Sequence, residues 1–184
     1  MLVNATRSTT EIQQNAISFL PSGYFLNNLK ILLGKSFNPA KGFLNSFIIS
    51  AGSTGLAVYF SSLTAYGLPA YEWKLKQPFF SFIMAVMMIP GQITMIGFYQ
   101  MAYKLGLTNN MWMLILPAIA SPSMVFFMRQ YLQSTLSMEI VQSARIDGAG
   151  EFLTFNRIVL PIMKPAIATQ AIFSFVSSWN NLFT

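Results

Sequence analysis

Four long stretches of this chain contain no Asp, Glu, Lys or Arg: residues 42–71, 77–103, 105–128 and 165–184. A helix that crosses the hydrocarbon core of a bilayer needs about 20 mainly apolar residues. Each stretch reaches that length. One charge held at mid-membrane costs about 2.5–3.5 kcal/mol on insertion scales, so long charge-free runs are what lipid selects. The expected fold class is therefore all-α, a polytopic transmembrane helical bundle with about four spans.

Composition agrees with that reading. Of the 184 residues, 54% are hydrophobic and only 9% charged, and the mean hydropathy is +0.52. Soluble domains carry about 25% charged residues, enough to cover a water-facing surface. The net charge of +6 does not point to nucleic acid, because the 11 basic residues are scattered and mostly flank the apolar runs. A nucleic-acid footprint gathers them on one face. With no cysteine and no histidine, disulfides, thiolate chemistry and histidine-ligated metals are excluded. Residues 1–15 lack the basic–apolar–small order of a cleavable signal peptide.

Residues 1–42 form a polar, mixed segment, read as short helices at the membrane surface or in an external loop. Tyr24 and Phe25 suit an interface. The first span is expected at about 43–68. Its small pairs Ala51/Gly55 and Ser53/Ala57, four residues apart, allow close helix packing or a face along a pathway. A connection over 69–78 leads to a second span at about 79–101. Pro90-Gly91 near its middle predicts a kink, which either serves packing or frees carbonyls toward a cavity. A third span is expected at about 111–131, leaving at Arg129 and Gln130, and a fourth at 165–184. The chain stops inside that last apolar run and opens in a polar one, which reads as a piece of a longer protein. Six basic residues on one side against five on the other leave orientation undecided.

The polar segment 133–164 carries most of the chemistry. Ser137 suits the N-cap of a helix over 139–146, a rod of about 12 Å, with Glu139 at its positive end. Asp147-Gly148 breaks it, and Asp147 is expected to cap a second helix that Leu160-Pro161 ends. The charges balance, and Ile140, Ala144 and Ile146 supply apolar surface. This knob suits either a groove on a protein partner or the lipid surface; the residues alone favour neither.

This segment resembles the cytoplasmic loop of inner-membrane permeases of ATP-binding-cassette importers. Gln142-Ser143-Ala144 hold the places of Glu-Ala-Ala, and Gly148, Ile158, Leu160 and Pro161 follow at the family spacing. Gln142 keeps the shape of the usual acid and loses its charge, and Ser143 replaces an alanine. Asn45-Ser46, Met88-Ile89-Pro90-Gly91-Gln92, Gly106-Leu107-Thr108-Asn109 and the stretch Asn4 to Ile12 are similar to the carbohydrate-type permeases of this family, the maltose-permease-like group.

The resemblance implies a MetI-like permease fold with six spans, of which this piece supplies the second through fifth. Residues 1–42 would lie outside the cell and 133–164 in the cytoplasm of a bacterium, with the spans in its inner membrane. It implies two ATPase subunits that bind ATP-Mg, a second permease subunit, and an external solute-binding protein that delivers a sugar. No cofactor would sit on this chain. The implied ATPase-coupling residues are Glu139, Gln142, Ser143, Ala144, Arg145, Asp147, Gly148, Ala149, Leu160 and Pro161, with Gly148 as the joint. Gln92, Trp179, Asn180 and Asn181 are candidate sugar contacts, and helix–helix packing explains them equally well.

Two other classes fit less well. A secondary transporter would bury an acid or base in a span, and all five acids lie outside the expected spans. A membrane enzyme would need a constellation such as Ser/Lys or paired Asp. The Gly34-Lys35-Ser36 triplet is not a phosphate loop, since the glycine required five positions earlier is Leu29.

Overall fold

A computed structural model describes residues 2–34 and 38–181. Lys35 and Ser36 of the Gly34-Lys35-Ser36 triplet, and residues 182–184 of the expected fourth span, lie outside the described residues. The structure separates into two compact units, Met1–Ser46 and Phe47–Thr184.

The first unit carries three short helices, α1 (Leu2–Ala5), α2 (Thr9–Gln14) and α3 (Phe25–Leu32). Ser8 and Glu11 form a capping box at the start of α2, each side chain satisfying the other's backbone N–H. That bond from the Ser8 N–H holds the Glu11 carboxyl below the usual carboxylate range. Arg7 is only 6% exposed. Its guanidinium donates to the carbonyls of Glu11 (2.7 Å) and Asn15 (2.8 Å), closing the far end of α2.

Helix α4 (Pro39–Ala70) starts earlier and ends later than the expected 43–68. Proline suits the first turn, where its missing N–H has no partner to lose. The Asn38 side chain accepts from the Lys41 N–H at 3.1 Å. The 32 residues make a rod of about 48 Å. One stripe of it is buried, running through Ser50, Ser53, Thr54, Ala57, Ser61, Ser62, Ala65 and Tyr66, the three-and-four spacing of a packed helix face. Ser53/Ala57 lie on that stripe, whereas Gly55 is exposed with open space around it. The close approach comes at Gly52, where an added Cβ would meet the Ile115 side chain at 3.3 Å.

The second expected span is two helices, α5 (Lys76–Met87) and α6 (Gly91–Lys104), set at 93°. The expected kink is thus a near right-angle break. Pro90 cannot donate to the α5 ladder, and it instead begins α6 as its N-cap residue. The third span is α7 (Met111–Ile115), a 3-10 turn through Ile119, and α8 (Pro122–Thr135). It runs four residues past the expected end at 131 because Arg129 does not terminate it: its guanidinium lies 4.0 Å from the centre of the Phe80 ring. Leu132, one turn from Met128, remains buried in the core.

Residues 138–179 complete the bundle as α9 (Met138–Ile146), α10 (Glu151–Thr154) with a π turn Phe155–Val159, α11 (Leu160–Ile162) and α12 (Lys164–Trp179). Leu160-Pro161 was expected to end a helix. The wide π turn just before it takes up the missing proline N–H, and helix continues to Ile162. The chain then bends by 79° into α12, and the Tyr131 hydroxyl donates to the Ile162 carbonyl at the bend (3.4 Å). Helices α4 and 111–135 are each long and apolar enough to cross a membrane; counting each bent pair as one span gives up to four.

The core of this unit joins α4, α8, α9, the π turn and α12 through Tyr66, Met128, Leu132, Val141, Phe155, Val159 and Met163. Within it the hydroxyls of Ser50 and Ser62 are buried and have no hydrogen-bond partner among the described residues. A buried hydroxyl without a partner costs about 1–3 kcal/mol. Ser62→Ala is therefore expected to raise the thermal midpoint of the purified protein; an unchanged or lower midpoint would mean that the hydroxyl is bonded in the folded state.

Candidate functional site

Two features stand out, an elbow built on α9 and a polar cavity beside α12. Ser137 caps α9 as the sequence suggests, accepting from the Glu139 N–H at 3.3 Å. Asp147 differs from expectation. It is the C-terminal cap of α9 rather than the N-terminal cap of the next helix, and Gly150 takes that role for α10. The reason is Gly148, whose φ of +80° turns the backbone so that its own N–H bonds the Arg145 carbonyl (3.1 Å) and the Ala149 N–H bonds the Ala144 carbonyl (2.9 Å). This is the Schellman closure of a helix. It commits Asp147 to α9, so the next helix starts three residues later.

Arg145 bolts the elbow down. Its Nε donates to Glu151 Oε1 at 2.6 Å, and its Nη2 donates to the carbonyl of Ala70, the last residue of α4, at 3.1 Å. The Tyr66 hydroxyl donates to the other Glu151 oxygen at 3.2 Å, and the guanidinium lies 5.4 Å from the Tyr71 ring centre. A cation at the carbonyl end of α4 also opposes the negative pole of that helix. The bond to Glu151 raises the Arg145 pKa further. Burial first, and then the nearby Glu151, push the Tyr71 hydroxyl up. Both partners of the ion pair are about a third exposed, at 34% and 39%. Water and salt screen such a pair, so its contribution to stability is small. A double-mutant cycle with Arg145→Met and Glu151→Gln should give a small favourable coupling that shrinks with salt. Zero coupling at low salt would remove the bolt.

Val141 and Ala144 face inward, Ala144 being 5% exposed. Ala144 was expected on the contact surface with Ile140 and Ile146. On a helix it sits about 40° from Ile140 and about 160° from Ile146, so the three never share a face. It fastens α9 to the core. The outward face is Glu139, Ile140, Gln142, Ser143, Ile146 and Asp147. An open groove of about 400 Å³ runs along one edge, lined by Glu139, Ile140, Ser143, Ala144, Asp147 and Ile158. Ala149 is half-buried, Leu160 packs on the core, and Pro161 is exposed.

The second feature is a cavity of about 460 Å³ whose polar lining comes from Ser53 of α4, Ser121 and Ser123 at the start of α8, and Gln170, Ser174, Ser177, Ser178 and Asn181 on or just beyond α12. The last five repeat at four, three, one and three residues, which is one face of a helix. A neighbouring cavity of about 760 Å³, bounded by the break around Ile89 and Gly91, shares Leu114, Ser123 and Asn181 with it. No charged side chain lines either one. Of the expected sugar contacts, Asn181 lies here. Gln92 is exposed in the first turn of α6, Trp179 stacks on Phe175 (5.8 Å), and Asn180 ends α12; none of these three lines the two cavities. The serines were missed because single serines in a span read as packing residues; their shared helical phase was the available signal.

This arrangement has known counterparts. Residues 57–184 match the family described as "Binding-protein-dependent transport system inner membrane component". The chain is 37% identical over 98% of its length to the arabinooligosaccharides transport system permease protein AraQ of Halalkalibacterium halodurans, and spans 65% of that protein. It is 38% identical over 76% of its length to the melibiose/raffinose/stachyose import permease protein MelC of Bacillus subtilis, spanning 51% of it. To the sn-glycerol-3-phosphate transport system permease protein UgpE of Salmonella typhi it is 31% identical over 97%, spanning 65%. In structure, 98% of the chain superposes on 63% of a chain of a bacterial ABC transporter involved in import of the acidic polysaccharide alginate, with a TM-score of 0.64 at 24% identity. That likeness supports a shared fold. The bundle, its elbow and the match over 57–184 make this chain a member of the family of inner membrane components of binding-protein-dependent transport systems.

Proposed function

We propose that this chain is the greater part of a permease subunit of an ATP-driven importer, with α9 as the seat of a cytoplasmic ATPase and the cavities beside α12 as part of the solute path. The observation that carries this reading is the elbow. Its outward face combines apolar Ile140 and Ile146 with uncharged Gln142 and Ser143 and the acids Glu139 and Asp147, while its inward side is locked to three other helices. A lever needs both properties. Motion of a bound ATPase would pass through Arg145 into the end of α4, and through α10 and the π turn into α12, whose polar face lines the cavity.

Two ATPase subunits holding ATP-Mg, a second permease subunit and an external solute-binding protein complete the transporter in this proposal. Residues 133–164 then face the cytoplasm and residues 1–42 the outside. The uncharged lining suits a neutral sugar, hydrogen-bonded by hydroxyls and amides. That favours a solute of the oligosaccharide kind named for AraQ and MelC over the phosphate-bearing one named for UgpE.

Ile146 is 86% exposed, so its replacement tests docking without disturbing the core. Ile146→Arg in the full-length protein is expected to reduce co-purifying ATPase by at least tenfold, since a central interface residue is worth about 2 kcal/mol or more. Undiminished co-purification with both Ile146→Arg and Gln142→Arg would sink the docking assignment. Uptake that survives ATP depletion and stops when the ion gradient collapses would replace the proposal with a secondary transporter.

A further inference from the structure

Helix α3 lies outside everything assigned so far, and it is clamped rather than loose. The Asn28 side-chain amide donates to the carbonyls of Ala5 (3.0 Å) and Arg7 (2.9 Å), and the Tyr24 N–H donates to the Thr6 carbonyl (3.0 Å). These bonds fix which way the helix faces. Phe25, Leu26, Leu29, Leu32 and Leu33 recur with helical spacing over a sector of about 120°. Asn27 falls on the opposite side together with the exposed Ile31, and Lys30 flanks the stripe beside Leu26. In water such a stripe would be covered by the fold, yet Leu26 is 68% and Leu33 65% exposed. The loop ahead adds Ile17, Phe19 and Leu20, all above three-quarters exposed.

We propose that α3 is an interfacial anchor, lying flat on the bilayer with its leucine stripe in the lipid of the leaflet at the N-terminal end of α4. Three facts select lipid as the occupant. The path from Leu32 to Pro39 is seven residues, which covers at most about 25 Å even when fully extended. Helix α4 exceeds the hydrocarbon thickness of about 30 Å by roughly 18 Å, so its first turns lie in the headgroup zone. The tether therefore keeps α3 within about 25 Å of the start of α4. The helix carries Lys30 at the edge of the stripe and no acid, the sign that suits phospholipid headgroups. An amphipathic helix held there sinks its apolar face about 5–10 Å into the acyl boundary. The inference requires only that α4 crosses the membrane and is independent of the transport reading.

These 184 residues contain no cysteine, which suits single-site spin labelling. Leu26→Cys, Leu33→Cys, Asn27→Cys and Lys30→Cys would each be labelled in the full-length protein, assembled with its partner subunits in lipid nanodiscs. Collision with oxygen, which concentrates in lipid, would be compared with collision with a water-soluble nickel chelate. Labels at 26 and 33 should favour oxygen severalfold over labels at 27 and 30. Nickel access at all four sites would place α3 in water. Low access to both reagents at 26 and 33 would place a protein over the stripe. Either result overturns the proposal.

Discussion

Phe155→Ala will cost about 3–5 kcal/mol of stability, the range for emptying a buried aromatic site. Phe155 is fully buried where α4, α9 and the π turn meet. Its ring stacks on Tyr66 at 5.7 Å and meets Tyr59 edge-on at 5.8 Å. Aromatic pairs add about 0.5–1.5 kcal/mol each beyond the area they bury. Lipid contributes nothing at this site, so the loss will appear in detergent and in bilayer alike. Phe152 is the internal control, since it is 69% exposed and its truncation should move the midpoint little. A Phe155→Ala protein that melts with the parent would show that this junction is not what holds the elbow to the bundle.

Gly148→Val should leave insertion and ATPase binding in place and reduce transport by at least tenfold, with ATP hydrolysis no longer tied to uptake. Open space surrounds the position, with nothing within 4 Å of an added Cβ. The penalty therefore comes from φ = +80° alone, about 1–2 kcal/mol for a side chain in the left-handed region and most for a β-branched one. The chain escapes that penalty by opening the turn, which breaks the two bonds closing α9 and frees the lever at its joint. Gly148→Asn should retain most transport, because asparagine tolerates this conformation. Gly106 provides a stringent comparison. It has φ = +68°, open surroundings, and the same pair of bonds closing α6, from Gly106 to Tyr103 and from Leu107 to Ala102. Gly106→Val should lose similar stability and keep hydrolysis tied to uptake. Normal uptake by Gly148→Val would remove the joint.

The membrane class was readable because charge exclusion acts residue by residue and leaves its mark in one dimension, and the two helices long enough to cross, α4 and 111–135, overlap the expected first and third spans. Ser137 and Gly148 were readable for a similar reason: capping and positive φ are local demands. The 93° turn at Pro90 was not. Proline tells where a ladder is interrupted, but the angle depends on tertiary packing, such as that of Phe80 of α5 on Phe126 of α8. Asp147 was misassigned because an aspartate before glycine serves equally as the end of one helix or the start of the next, and the Ala149–Ala144 bond that decides between them depends on the turn itself. The burial of Ala144 and the polar face of α12 are set by phase about a helix axis, which a residue taken singly does not display.

The hydrogen bonds of the larger unit are unequal in length, and that inequality bears on how the bundle deforms. At the elbow, Arg145 makes contacts of 2.6 and 3.1 Å. Along the hydroxyl-bearing stripe of α4, Ser53 reaches Leu114 at 3.5 Å, Thr54 reaches Ser174 at 3.4 Å, and Ser61 reaches Ser121 at 3.5 Å. Contacts near the outer limit for a hydrogen bond change little in energy when helices slide by a fraction of an ångström. Small sliding of packed helices is one of the standard ways domains rearrange. Compliance is thus graded along the molecule, stiff where force would enter and slack where α4 borders the polar cavity. Under the proposed coupling, a thrust at the elbow would become slip, rather than rupture, beside the cavity.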